Sequence, residues 1–207
     1  MTEVAVDRSF FNRRLHSFLG IFPIGLFILE HFFTNSFAVH GAAVYNGKIE
    51  FFKELPYLLA IETIFIFLPL LFHGIYGLYI VYTGEPNNLQ YGYARNWMYL
   101  IQRVTGVILL FFIGWHVYVT RISALLYGTE VSYQYMAKMF QSPVVFWWMV
   151  IGVISAAFHF ANGIWSFCIV WGITTGPKAQ KRMGWITLGL FVVLAFVGIR
   201  ALLAFHI

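Results

Sequence analysis

Apolar residues fall along this chain in five long runs, roughly 15–35, 57–82, 97–120, 143–171 and 183–205. Each is at or above the roughly 20 residues that a helix needs to cross about 30 Å of hydrocarbon. No water is present at that depth to satisfy backbone N–H and C=O groups, so each run must close its hydrogen bonds internally, as a helix does. Turn-forming residues separate the runs: 48–56, Thr83-Gly84-Glu85-Pro86-Asn87-Asn88, Tyr127-Gly128-Thr129 and Thr175-Gly176-Pro177. The pattern predicts an all-α membrane protein with five transmembrane helices in a single integral membrane domain, 1–207. It shows no soluble domain and no linker long enough to tether one.

Composition agrees with the pattern. Of 207 residues, 60% are hydrophobic and only 10% charged, with a mean hydropathy of +0.77. A soluble chain carries about 25% charged residues, so soluble globular classes are excluded. The one cysteine, Cys168, excludes a disulfide framework and any cysteine-ligated zinc or iron–sulfur centre, because each needs at least two thiols. Metal chemistry must therefore rest on histidine. A net charge of +5 raises the question of nucleic acid, but the cations sit singly or in pairs at the ends of apolar runs and form no stripe. They read as membrane-end anchors, with lipid as the partner and nucleic acid excluded.

The same cations orient the chain. With the N-terminus inside, Arg8, Arg13, Arg14, Arg95, Arg103, Lys178, Lys181 and Arg182 lie on the inner side, against Lys48, Lys53, Arg121 and Lys138 outside. The positive-inside rule then favours N-in and C-out. A cleaved signal peptide is the alternative for the first run, since Arg13-Arg14 precede it and Ser36-Phe37-Ala38 is a small-x-small site. An apolar region near 20 residues exceeds the usual 7 to 15 and argues for a retained anchor.

Of seven histidines, four lie inside apolar runs, one on each of the first four helices: His31, His73, His116 and His159. Ionisable groups at the bilayer centre are costly, about 2.5–3.5 kcal/mol for Arg, Lys or Asp, and mark functional positions by default. An interhelical hydrogen bond accounts for any one of them; for four together it requires a coincidence. Depth sorts them. At 1.5 Å per residue, His31 lies about 25 Å above Arg14 and His116 about 28 Å above Trp97, whereas His73 lies only about 14 Å above Tyr82 and His159 about 18 Å above Trp171. The sequence thus predicts an outer pair, His31 with His116, and an inner pair, His73 with His159, in layers about 10 Å apart before tilt.

Two facing imidazoles without a carboxylate or thiolate suit a metal that already brings four equatorial nitrogens, as haem b does. Zinc and di-iron sites fit poorly, because bundle iron sites use inward Glu and Glu-x-x-His patterns. On the fourth helix Gly152, Ser155, His159, Gly163 and Ser166 form a small-residue stripe, and Gly77 is one turn from His73. With a histidine in it, the stripe reads as a porphyrin slot; without one it would read as ordinary small-residue helix packing. The fifth helix has no central histidine and is expected to be peripheral to a haem-binding bundle of helices one to four, with Arg200 snorkelling outward. His16, His40 and His206 read as interfacial.

Glu62 precedes His73 by eleven residues, about 1100° of helix rotation, which puts it within 20° of the same face and about 16 Å nearer the outer surface. There it is a candidate catalytic residue for proton exchange with a quinone, its pKa raised by desolvation. The alternative is a carboxylate paired with a polar neighbour at the membrane edge. Glu30, adjacent to His31, faces elsewhere and reads as interfacial.

The segments Arg13-Arg14-Leu15-His16-Ser17, Phe67-Leu68-Pro69-Leu70 with His73-Gly74-Ile75-Tyr76-Gly77, Arg95-Asn96-Trp97-Met98, Gln102-Arg103-Val104-Thr105-Gly106 and His159-Phe160-Ala161-Asn162-Gly163-Ile164-Trp165-Ser166-Phe167 closely resemble the Bacillus-type cytochrome b subunits of succinate dehydrogenase. The likeness spans nearly the whole chain. It implies a multi-pass anchor in a bacterial cell membrane with two b haems, holding a flavoprotein and an iron–sulfur subunit on the cytoplasmic face and passing electrons from succinate to menaquinone. By matching segments, the resemblance puts the axial ligands on His31 and His116 for the outer haem iron and on His73 and His159 for the inner one. It leaves Glu62 and Asn35 as candidates for the quinone pocket.

No succinate-binding or flavin-attachment residues occur, so the chain alone is not expected to oxidise succinate. A bc-type cytochrome b has two histidines on each of two helices, unlike the one on each of four seen here. A cofactor-free proton channel or transporter using the histidines as a relay, and the anchor of a fumarate reductase, are the other readings.

Overall fold

The computed structural model describes residues 2–206, and no strand occurs among them. Helix α1 (Thr2–Ile21) and helix α2 (Ile24–Ser36) are two halves of one span, running on through a 3₁₀ turn, Phe37–His40. The expected run 15–35 is thus broken at Phe22-Pro23, where proline has no N–H for the preceding turn. The amide of Phe27 resumes the ladder on the Pro23 carbonyl at 3.0 Å.

The second span, α4 (Leu58–Tyr82), contains a π turn over Thr63–Phe67. Pro69 explains it. In a regular helix its ring would crowd the carbonyl four residues back and leave it without a donor, and a widened turn relieves both. The third span, α5 (Ala94–Tyr127), contains a second π turn over Tyr118–Ile122. One carbonyl inside that turn, on Val119, accepts a hydrogen bond from Tyr135 Oη at 2.7 Å. Each π turn also holds a threonine whose hydroxyl donates to the carbonyl four residues back: Thr63 to Leu59 at 2.7 Å and Thr120 to His116 at 2.6 Å. Such back-bonding bends helices.

The fourth span is α7 (Pro143–Val170) and the fifth α8 (Pro177–Phe205). Both start on a proline, whose fixed φ and missing N–H suit the first helical position. All five are long and apolar enough to cross a membrane, so the chain is a multi-pass, all-α membrane protein. Helix α8 packs along α7 and against α2. Arg200 is exposed there, over the Phe196 ring.

Two further helices lie outside the spans, where only turns were expected: α3 (Ala42–Lys53), which takes in Lys48–Lys53, and α6 (Tyr133–Phe140). Helix α6 is capped by Ser132, whose side chain accepts from the Tyr135 amide. Asn46 joins the two, donating to Gln134 Oε1 at 3.1 Å and accepting from the Tyr133 amide at 2.8 Å. Between them and the C-terminal end of α8, Tyr45, Met136, Phe140 and Phe205 form a buried cluster that caps one end of the bundle.

Candidate histidine-pair centres

Four spans bring their central histidines together two by two. His73 on α4 faces His159 on α7 with ring centres 6.2 Å apart and planes at 82°. His31 on α2 faces His116 on α5 at 5.9 Å and 81°. Gly106 lies against His159, and His116 is ten residues further along the same helix, so the two pairs are separated by about 15 Å along α5. That exceeds the 10 Å expected from counting inward from assumed membrane edges.

The inner pair is held by main-chain carbonyls. Nδ1–H of His73 donates to the His16 carbonyl at 3.0 Å, and Nδ1–H of His159 to the Gln102 carbonyl at 3.1 Å, with Thr105 Oγ1 at 3.2 Å. A carbonyl only accepts, so each bond fixes the tautomer and leaves Nε2 with its lone pair. Gln102 answers with its side chain, Nε2 donating to the His159 carbonyl at 3.0 Å, and Asn162 Nδ2 donates to Gln102 Oε1 at 2.8 Å. The α5–α7 contact at this level is therefore polar, reciprocal and centred on His159.

His16 is not interfacial. Its ring stacks on His73 at 4.0 Å with planes at 8°. Counting upward from Arg14 as the membrane edge misplaced it, because α1 continues unbroken below Arg13 and Arg14 and carries His16 into the bundle. The glycines that make room are Gly20, where a Cβ would sit 2.6 Å from His73 Cε1, and Gly77, where it would sit 3.3 Å from His16 Nε2.

The outer pair has apolar neighbours. Phe112 stacks on His116 at 5.8 Å and 13°, and Phe27 lies 5.3 Å from His31. His116 Nδ1 is buried with no hydrogen-bond partner. Asn35, one turn beyond His31, donates to the His31 carbonyl at 2.8 Å and accepts from the buried Tyr45 hydroxyl at 3.2 Å. The small-residue stripe on α7 departs from the expected slot at Gly152, where a Cβ would lie 2.2 Å from the Phe112 ring. Its function at that position is close packing of α5 on α7.

Glu62 faces the third span. Arg121 Nε donates to its Oε2 at 2.8 Å, and Nη2 donates to the same oxygen. The carboxylate is thus engaged by a polar neighbour. The π turn between Glu62 and His73 adds a residue to the helical count, which shifts Glu62 by about 100° from the face derived by even rotation. Glu30 accepts from Thr34 Oγ1 one turn on.

Ring centres 5.9 and 6.2 Å apart leave room for one metal ion between the two rings of each pair, which those imidazoles would hold. Among the described residues no three His, Cys, Asp or Glu side chains converge as a bare-ion site, and two nitrogens alone suit an ion that brings its own equatorial ligands. In the inner pair, the free Nε2 atoms of His73 and His159 are the donors such a group would take.

The chain is thus a helical membrane bundle with facing histidine pairs at two depths. The family described as the succinate dehydrogenase/fumarate reductase transmembrane subunit matches residues 85–198. The succinate dehydrogenase cytochrome b558 subunit of Bacillus subtilis (strain 168) is 46% identical over 199 residues, 96% of this chain and 98% of that protein. The chain belongs to this family of succinate dehydrogenase/fumarate reductase transmembrane subunits.

Proposed function

We propose that this chain is the dihaem b-type membrane anchor of a succinate:menaquinone oxidoreductase, carrying electrons from an iron–sulfur subunit, itself joined to a flavoprotein, to menaquinone. The observation that carries the reading is the two histidine pairs at 5.9 and 6.2 Å on four separate spans. The similar Bacillus subtilis protein, a cytochrome b558 subunit of succinate dehydrogenase, supports the assignment. The family description also names fumarate reductase, the same chemistry run in reverse.

His73 and His159 would hold one iron and His31 and His116 the other. Haem, when bound, supplies one-electron redox chemistry, and the protein's part is to position and tune it. The carbonyls of His16 and Gln102 orient the inner imidazoles and raise their basicity as ligands. Phe112 and Phe27 keep water from the outer pair. At the outer end, both Arg121 donors engage Oε2 of Glu62 and leave Oε1 without a partner; Oε1 is the atom we assign to proton exchange with the quinone, and Asn35 on α2 is the other candidate for the quinone pocket.

Low-temperature absorbance with a redox titration of the purified complex tests the reading. Two b-type centres of separate potential are the expected result. A folded complex with no Soret band would overturn it in favour of a histidine relay for protons.

A further inference from the structure

Between α5, α7 and α8, at the end of the bundle that carries Arg95, Lys178, Lys181 and Arg182, lies a groove of about 420 Å³. Its walls are apolar, including Met98, Phe158, Leu188 and Phe191, and its rim carries two cations, Arg95 and Lys181, with no acidic residue in the lining. Neither cation is ion-paired among the described residues, where the salt bridge present is Arg121 with Glu62. Gln180 sets the rim in place. Its Oε1 accepts from Arg95 Nη2 at 2.8 Å, its carbonyl accepts from Trp165 Nε1 at 3.0 Å, and its Nε2 donates to the Thr174 carbonyl at 3.1 Å. The Arg95 guanidinium is thus tied to Gln180 and laid over the Trp165 ring, and Lys181 lines the same groove.

We propose that this groove binds one anionic phospholipid, with the phosphate on Arg95 and Lys181 and an acyl chain along Phe158, Leu188 and Phe191. Depth agrees with that layout: Leu188 and Phe191 lie seven and ten residues past Lys181 on α8, about 10 and 15 Å deeper. Basic pockets between transmembrane helices select anionic headgroups, whereas a neutral quinone or a zwitterionic lipid gains little from two uncompensated cations. The site is remote from the outer pair and independent of the electron-carrying reading.

The test uses the purified complex, stripped of loosely held lipid in mild detergent and titrated with phosphatidylglycerol or phosphatidylcholine, with bound lipid counted by native mass spectrometry. Wild type is expected to retain one phosphatidylglycerol and to prefer it to phosphatidylcholine at least tenfold. The double variant Arg95→Gln/Lys181→Gln should lose that preference with its visible spectrum unchanged. Leu188→Trp, which fills the wall and keeps both charges, should weaken binding of either lipid. Equal binding of the two lipids to wild type, an unchanged preference in the double variant, or a quinone retained there in place of lipid would each overturn the proposal. The wild-type comparison decides the matter even if a variant fails to fold.

Discussion

His73 and His159 each commit one ring nitrogen to a main-chain carbonyl, whereas His116 has a buried nitrogen with no partner at all. A carbonyl cannot be removed by side-chain substitution, so the inner pair's orientation is written into the backbone of α1 and α5, and only the imidazole itself is vulnerable. His73→Ala or His159→Ala is therefore expected to abolish the inner centre and leave the outer, halving the b-type absorbance of the assembled complex. His31→Ala or His116→Ala should remove the other half. Loss of both signals, or of neither, in a complex that still assembles would refute the pairing. A second residue-scale expectation concerns Tyr45, outside the spans. Burial holds its phenol well above the ordinary value of 10, up to about 12, and its hydroxyl donates to Asn35 Oδ1. A raised pKa in the folded state means that the stabilisation is complete below pH 10 and is lost as pH rises through about 12. The tyrosinate absorbance of wild type minus Tyr45→Phe should titrate near 12; a midpoint near 10 would mean that the phenol is not buried by the outer cap.

At the scale of elements, the two π turns lie on neighbouring spans and meet at one ion pair. Glu62 immediately precedes the first, and Arg121 lies within the second. Both side chains are partly exposed, 18% and 29%, so the pair is worth less than a fully buried one. Removing one partner still leaves the other charge facing apolar helices. Arg121→Gln is expected to destabilise the complex by about 1–2 kcal/mol, and the double variant Glu62→Gln/Arg121→Gln by less than the sum of the single changes. Thermal unfolding of all four forms measures the coupling, and strict additivity would deny it. Gly152 offers a harsher test of packing. Leu at that position must displace Phe112, at about 1–3 kcal/mol, and because Phe112 stacks on His116 the spectrum of the outer centre should shift with the melting temperature while the inner centre keeps its own. The spans and the pairing by depth were legible in the sequence because rise per residue is nearly constant in any helix. Rotation was not. Even turning of 100° per residue fails across a π turn, and Pro69, eleven residues inside the second span, was the signal that one lay there. The caps α3 and α6 escaped notice for a different reason: short helices are fixed by what they pack on, here Phe205 and each other, and not by a run of their own.

The two ends of the molecule are unlike. One end is closed by α3, α6 and the buried Tyr45–Phe140–Phe205 cluster. Among the described residues the other end has no such cover and gathers cations: Arg14 lies over Trp171, Arg95 over Trp165, with Lys178, Lys181 and Arg182 at the start of α8. We propose that this open cationic end is the cytoplasmic face, as the positive-inside rule expects, and that water-soluble redox subunits dock there beside the lipid-binding groove. If electrons are received there and delivered to quinone beyond the outer pair, each one moves away from the negative side of an energised membrane. The field contributes about 2.3 kcal/mol per electron per 100 mV for a full crossing. Crossing about half the hydrocarbon at 100 mV is worth roughly half of that, close to a sevenfold bias toward quinone reduction. Succinate-driven menaquinone reduction in sealed, inside-negative vesicles should accordingly fall by several-fold when a protonophore collapses the potential, and the detergent-solubilised complex should not respond to the protonophore at all. Insensitivity in sealed vesicles would mean that electrons leave on the side where they entered, and would move the quinone from Glu62 to the cationic end.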